Sequence, residues 1–140
     1  MNSVKGLEFS ARVDIIQGCT QYLDNLHLLY DVQILENEYS YNWRIKKNVK
    51  IVTPDRLLPG VPLIISVPFS YTGCQPTDLD NLLDMCVDLG IPVHVDAAWL
   101  TAAKNIQINF NHPAIASLGA SMSKGYGTSG WNRIGLRWTK

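Results

Sequence analysis

Apolar runs of strand length alternate along this chain with segments whose apolar residues recur at helical spacing. Val13-Asp14-Ile15-Ile16 is a short strand-like run that ends just before Gly18. Thr20 is placed to cap a helix reaching about Tyr30, with Leu23, Leu26 and Tyr30 on one face. Val32 to Leu35 reads as the next strand and Val49 to Val52 as another, bounded by Thr53-Pro54-Asp55. Leu63 to Val67 is a continuous apolar run, the pattern of a strand covered on both faces. The clearest helix follows: Pro76-Thr77-Asp78 starts it, Leu79, Leu82, Leu83, Cys86 and Leu89 share one face, and Gly90 closes it. Pro92 to Asp96, Ala114 to Leu118 and Arg133 to Trp138 are the remaining strands. Strand–helix–strand order with short links predicts an α/β fold: a mainly parallel sheet with helices on both faces.

Composition narrows the class. The 140 residues allow one domain of ordinary size. With 12 basic and 12 acidic side chains the net charge is zero, which removes the electrostatic argument for nucleic acid or an anionic membrane as partner. At 17% charged and 46% apolar residues the chain has the balance of a folded domain. No apolar stretch approaches the roughly 20 residues that span a bilayer, and the N-terminus has no secretory pattern. Cys19, Cys74 and Cys86 are odd in number and lack a CxxC pair, which fits a reducing cytoplasm better than a disulfide framework or a zinc site.

Two tempting motifs fail. Gly125-Tyr126-Gly127-Thr128-Ser129-Gly130 matches GxGxxG by letter, but Trp131-Asn132 and a strand-like run follow it where a dinucleotide site needs a helix. Gly119 to Lys124 resembles a phosphate loop, yet it has Ser123 before the lysine and Gly125 after it. His27, His94 and His112 lack metal-ligand spacing and read as a helix-face, a strand and a loop residue. No metal is expected. No GxSxG elbow supports a hydrolase.

In a parallel α/β sheet, ligands collect at the carboxyl ends of strands. Four features stand there. Asp96 ends one strand. Ser121-Met122-Ser123-Lys124 follows another and offers two hydroxyls and an amine. Arg133 comes nine residues after Lys124, across a glycine-rich turn. Gly18-Cys19-Thr20 opens a helix, where free N–H groups and the helix dipole favour an anion. Cation, hydroxyls and helix N-terminus suit a phosphate, a buried aspartate suits a protonated ring nitrogen, and a lysine suits an imine.

At these residues the sequence resembles a family. IPVHVDAAW, SMSKGYGTSGWNRIG and, more weakly, QGCTQ and VPFSYTG look like successive signatures of fold type I pyridoxal-phosphate enzymes, closest to class I/II aminotransferases. The resemblance runs from about Ile15 to Trp138, and its specific part is SxSK followed by RxG, with an aspartate 28 residues upstream of the lysine. It implies that Lys124 is the Schiff-base lysine that also moves the α-proton, and that Asp96 is the partner of the pyridine nitrogen. It implies that Arg133, Ser121 and Ser123 are phosphate ligands. Gly18, Cys19 and Thr20 would add backbone N–H groups and a hydroxyl, although a plain helix cap explains them equally well. Tyr39, in ENEYSYNW, stands where the family often stacks an aromatic ring on the cofactor, with Tyr41 and Trp43 as competitors and an ordinary loop or core aromatic as the plain alternative.

The chain also departs from the pattern. The family's Asn-Pro-x-Gly is here Ser70-Tyr71-Thr72-Gly73, so Ser70 replaces the asparagine at the cofactor's phenolic oxygen. Trp99 replaces a tyrosine at the same oxygen; its indole N–H donates but does not accept. The Lys124–Arg133 interval is one residue longer than the commonest aminotransferase spacing. Complete members run to several hundred residues, so residues 1–140 are expected to be the central piece of the large domain, without the N-terminal segment and the small C-terminal domain. The implied activity is amino-group transfer between an amino acid and a 2-oxo acid with pyridoxal 5'-phosphate, in a cytoplasmic homodimer. A decarboxylase or lyase with the same cofactor is the alternative enzyme, and a catalytically inert fragment is the non-enzyme reading.

Overall fold

A computed structural model of the chain describes residues 1–44, 48–127 and 133–140. Its strands are β1 (Ser3–Lys5), β2 (Arg12–Ile16), β3 (Val32–Leu35), β4 (Val49–Val52), β5 (Leu63–Ser66), β6 (Val93–Ala97), β7 (Gln107–Asn109), β8 (Ile115–Ser121) and β9 (Gly135–Thr139). Its α-helices are α1 (Gly18–Leu29), α2 (Tyr41–Arg44) and α3 (Leu79–Asp88). Among the described residues the main sheet has the order β2-β9-β8-β6-β5-β3-β4. The run from β8 to β4 is parallel throughout; β9 is antiparallel to both β8 and β2. The expected mainly parallel sheet is therefore present, with one reversed strand near its edge. The carboxylate of Asp14 ties that edge together, accepting from Arg12 Nε at 2.6 Å and Arg137 Nε at 3.1 Å.

The apolar runs explain the layers. Leu63 and Ile65 of β5 point to one face and Ile64 to the other, all fully buried. On the Ile64 face α1 lays Tyr22, Leu23 and Leu26 against Ile16, Val32 and Ile34. On the opposite face α3 lays Leu79, Leu82, Leu83 and Cys86 over Leu63, Ile65, Val93 and Val95. Each fully buried aliphatic side chain of this kind contributes roughly 1.5–3 kcal/mol. Close approach of α1 to β8 depends on Gly119: a Cβ there would lie 2.5 Å from the Tyr22 ring. The Tyr22 hydroxyl and His94 Nδ1 each lie 2.7 Å from the Ser117 hydroxyl. Burial lowers the His94 pKa to about 4, so the ring is neutral.

Several boundaries differ from the sequence reading. Helix α1 begins at Gly18, whose φ of +70° turns the chain into the helix, and the Gln21 side chain reaches back to the Gln17 N–H at 2.8 Å. Thr20 thus lies inside the first turn and is not the cap. The helix ends at Leu29; Tyr30 is extended, leaves the buried face and stacks on His94 at 5.9 Å. Strand β8 runs on to Ser121 because its last residue pairs with Gly135 of β9, so Arg133 and Ile134 precede β9. The small parallel β1–β7 sheet gave no sequence signal, since three residues are too few to show a period.

Candidate active site

Parallel strands β5 and β6 end side by side, with Ser66 paired to Asp96. Above those ends opens a cleft of about 500 Å³. Its walls come from the start of α1, the turn after β3, the segment after β5, and the ends of β6 and β8. Gly18, Cys19, Thr20, Tyr39, Ser70, Asp96, Trp99, Ser121, Ser123, Lys124 and Arg133 all line it. These eleven residues therefore share one surface, although they span positions 18 to 133.

Asp96 forms the floor and is 4% exposed. Burial pushes its pKa up, against the Cys19 thiol, the Ala98 N–H and the positive charge of Lys124, which pull it down. The Ala98 N–H donates to Asp96 Oδ1 at 3.0 Å. The Cys19 thiol is itself held protonated, first by burial and then by the Asp96 charge, and its one hydrogen is shared between Asp96 and the Gly119 carbonyl at 3.4 Å. The side chain of Cys19 thus faces Asp96, a role that QGCTQ did not suggest.

At one end of the cleft the N-terminus of α1 meets β8 and the start of β9. A Cβ on Gly18 would lie 3.9 Å from the Ser121 hydroxyl and 4.0 Å from the Arg133 Cβ. The Ser121 hydroxyl accepts the Ser123 N–H at 3.2 Å, folding the chain back after β8. The helix N-terminus, two serines and the base of the Arg133 side chain therefore meet at one corner, residue types suited to an anionic oxygen group. The Thr128-Ser129-Gly130 part of the rejected GxGxxG motif and Trp131-Asn132, between Lys124 and Arg133, lie outside the described residues.

Lys124 is exposed at the mouth, with its Nζ 4.2 Å from the centre of the Trp99 ring. Of the three aromatic competitors, Tyr39 lines the cleft. Tyr41 donates to Asp24 Oδ1 at 2.8 Å and Trp43 lies under Arg44, so both have other partners. Ser70 and the exposed Tyr71 close the side after β5. Among the described residues, no group of three or more His, Cys, Asp or Glu side chains is arranged to hold a metal ion, and no helix is long and apolar enough to cross a membrane.

Sequence reasoning missed two residues here. Ser66 is the polar end of an otherwise apolar strand, a signal that was readable. Glu38 is 5% exposed, and both of its carboxylate oxygens accept the Ser66 N–H, at 2.7 and 3.0 Å. Burial pushes its pKa up to about 7 and the Asp96 charge adds to that, while bonds from Ser66 and Tyr39 oppose it. Nothing in ENEYSYNW marks this glutamate as buried.

No protein-family model and no curated protein matches the chain. Solved structures do match it in fold. An aspartate aminotransferase variant of Thermus thermophilus, complexed with tryptophan, superposes with a TM-score of 0.73 at 16% identity, covering 91% of this chain and 41% of that one. An aromatic aminotransferase of Pyrococcus horikoshii gives 0.70 at 19% identity, covering 91% and 43%. L-threonine-O-3-phosphate decarboxylase of Porphyromonas gingivalis gives 0.69 at 13% identity, covering 91% and 44%. The chain spans less than half the length of each of these proteins, and over that span it has the α/β fold of the fold type I aminotransferase-like proteins.

Proposed function

We propose that the cleft binds pyridoxal 5'-phosphate and that its chemistry is transfer of an amino group between an amino acid and a 2-oxo acid. In this reading residues 1–140 form the cofactor-binding part of the large domain. The observation that carries it is the meeting of Asp96, Lys124 and Arg133, from three separate strand ends, on one cleft of about 500 Å³.

The donor set fits the cofactor. Arg133, Ser121, Ser123 and the first N–H groups of α1 would hold the phosphate, and the bare Gly18 leaves room between Ser121 and Arg133. Asp96 would hold the ring N–H, its carboxylate oriented by Ala98 and Cys19. Tyr39, Ser70 and Trp99 would flank the ring. When bound, pyridoxal phosphate supplies an aldehyde that condenses with amines and a ring that takes up the electron pair left at a substrate's α-carbon. Lys124 would supply the amine for that aldehyde and would carry a proton from and to the substrate's α-carbon.

Borohydride reduction after addition of pyridoxal 5'-phosphate, followed by peptide mapping, tests this directly. The expected result is a pyridoxyl group on Lys124; a Lys124 peptide without label overturns the site. The decarboxylase of Porphyromonas gingivalis with the same fold supports a second reading, loss of CO₂ in place of amine transfer. Ser123 before Lys124, where decarboxylases more typically have histidine, favours the transferase. Homodimer formation in a reducing compartment belongs to the same reading. It is supported by exposed Ile15, Leu28 and Leu29, at 82%, 81% and 70%.

A further inference from the structure

Two buried carboxyl groups flank the end of β5, Asp96 lining the cleft and Glu38 bonded to Ser66, and the proposed chemistry uses only the first. Glu38 follows β3, and its carboxylate closes on the Ser66 amide at the end of β5. Ser66 is in turn the register partner of Asp96 on β6, and the Val67 N–H donates to the Asp96 carbonyl at 2.9 Å. The two acids therefore flank one strand end, both more than nine-tenths buried.

We propose that Glu38 is a positioning residue of this site, a second acid that shares a single negative charge with Asp96 across the end of β5. The inference deepens the pyridoxal-phosphate reading and rests on it for its function, but not for its test.

The groups around the pair favour the sharing. From the turn after β3 comes the Tyr39 N–H, and from β5 the Ser66 N–H and hydroxyl, all facing Glu38. From α1 comes the Cys19 thiol and from the end of β6 the Ala98 N–H, both facing Asp96. The cation acting on Asp96 is Lys124, beyond the end of β8. The Asp96 charge raises the affinity of Glu38 for a proton, and two buried acids on either side of one strand end couple in this way in low dielectric. A cationic ring N–H placed at Asp96 draws the charge to Asp96 and leaves the proton on Glu38. The total number of protons is unchanged; the O–H bond breaks on Asp96 and forms on Glu38. Glu38 thereby lets Asp96 ionise without doubling the negative charge at the floor, while its bonds to Ser66 keep the ends of β5 and β6 aligned.

The test is a ¹³C carboxyl NMR titration of the full 140-residue chain without cofactor. Glu38→Gln, which keeps an acceptor for the Ser66 N–H, is expected to lower the Asp96 midpoint by about one pH unit or more, the size that marks coupled sites. Asp96→Asn is expected to lower the Glu38 midpoint by the same amount, because coupling is reciprocal. The exposed Glu36→Gln is the charge control and is expected to move neither. An unmoved partner midpoint in either variant overturns the proposal, as does an equal shift in Glu36→Gln; either reciprocal variant suffices if the other does not fold. Failure to bind pyridoxal phosphate would refute the cofactor reading alone and leave this titration unaffected.

Discussion

The ammonium group of Lys124 lies 4.2 Å from the centre of the Trp99 indole ring. A cation over an aromatic face gains about 0.5–1 kcal/mol at an exposed site. That holds a flexible side chain at the mouth of the cleft, where, on the proposed function, its amine would meet an incoming aldehyde. Trp99→Leu is therefore expected to reduce the rate of borohydride-trapped labelling of Lys124 by about two- to five-fold, with Trp99→Tyr close to the parent. Quantitative mass spectrometry of the Lys124 peptide measures it. Equal labelling in Trp99→Leu would deny the indole any positioning role.

The Cβ of Arg133 stands at the corner shared with Gly18 and Ser121. If that corner takes a phosphate, Arg133→Ala weakens pyridoxal 5'-phosphate by about ten- to one-hundred-fold, the range for a lost hydrogen bond to a charged group. Pyridoxal, which has no phosphate, changes little. Absorbance titrations with both ligands read the ratio, and a parallel loss for both would move Arg133 out of the phosphate corner.

Gly119 is set by packing. A methyl group there would meet the fully buried Tyr22 ring at 2.5 Å, with β8 behind it and no room to withdraw. Gly119→Ala is expected to cost about 1–3 kcal/mol of stability. Urea denaturation gives the value, and an unchanged midpoint would mean that α1 lifts from the sheet freely.

Stability also carries a pH signature from buried groups of opposite sign. His94 has a folded pKa near 4, below its ordinary 6.5. Between those values the unfolded chain binds a proton that the folded chain does not, so His94 makes stability fall as pH falls, by about 3 kcal/mol in all. Glu38 behaves oppositely: its folded value near 7 exceeds 4.5, so the folded chain holds the extra proton and stability falls as pH rises through that window. Asp96 acts in the same sense as Glu38. Replacing His94 by Gln is therefore expected to steepen the loss of stability from about pH 4.5 to 6.5, and Glu38→Gln to flatten it. Urea midpoints across that range, compared between the two variants, would contradict this if both slopes moved in one direction.

The residues that line the cleft were largely legible in the chain because they are polar or glycine positions at strand ends and at a helix start. Asp96 after VHV, Ser121 to Lys124 after the next apolar run, and Gly18 at a helix start needed only the rule that parallel strands present ligands at their carboxyl ends. The departures at Ser70 and Trp99 were visible in the same way, and both residues face the cleft. Burial was harder to read. Glu38 sits in a polar stretch, and only the packing of the turn after β3 against β5 takes its carboxylate out of water and aims it at Ser66.

The sequence by itself determined the alternation of strand and helix, the two helix faces that sandwich the sheet, and the amine, carboxylate, guanidinium and hydroxyls that stand at strand ends. Local periodicity and residue chemistry are properties of neighbours along the chain, so they survive without coordinates. Only the tertiary structure decided that β9 runs antiparallel beside β8, that Tyr39 and not Tyr41 or Trp43 faces the cleft, and that Cys19 and Glu38 bracket the charge on Asp96. Those outcomes depend on distance and dielectric between residues far apart in sequence, which are set when the layers close on one another.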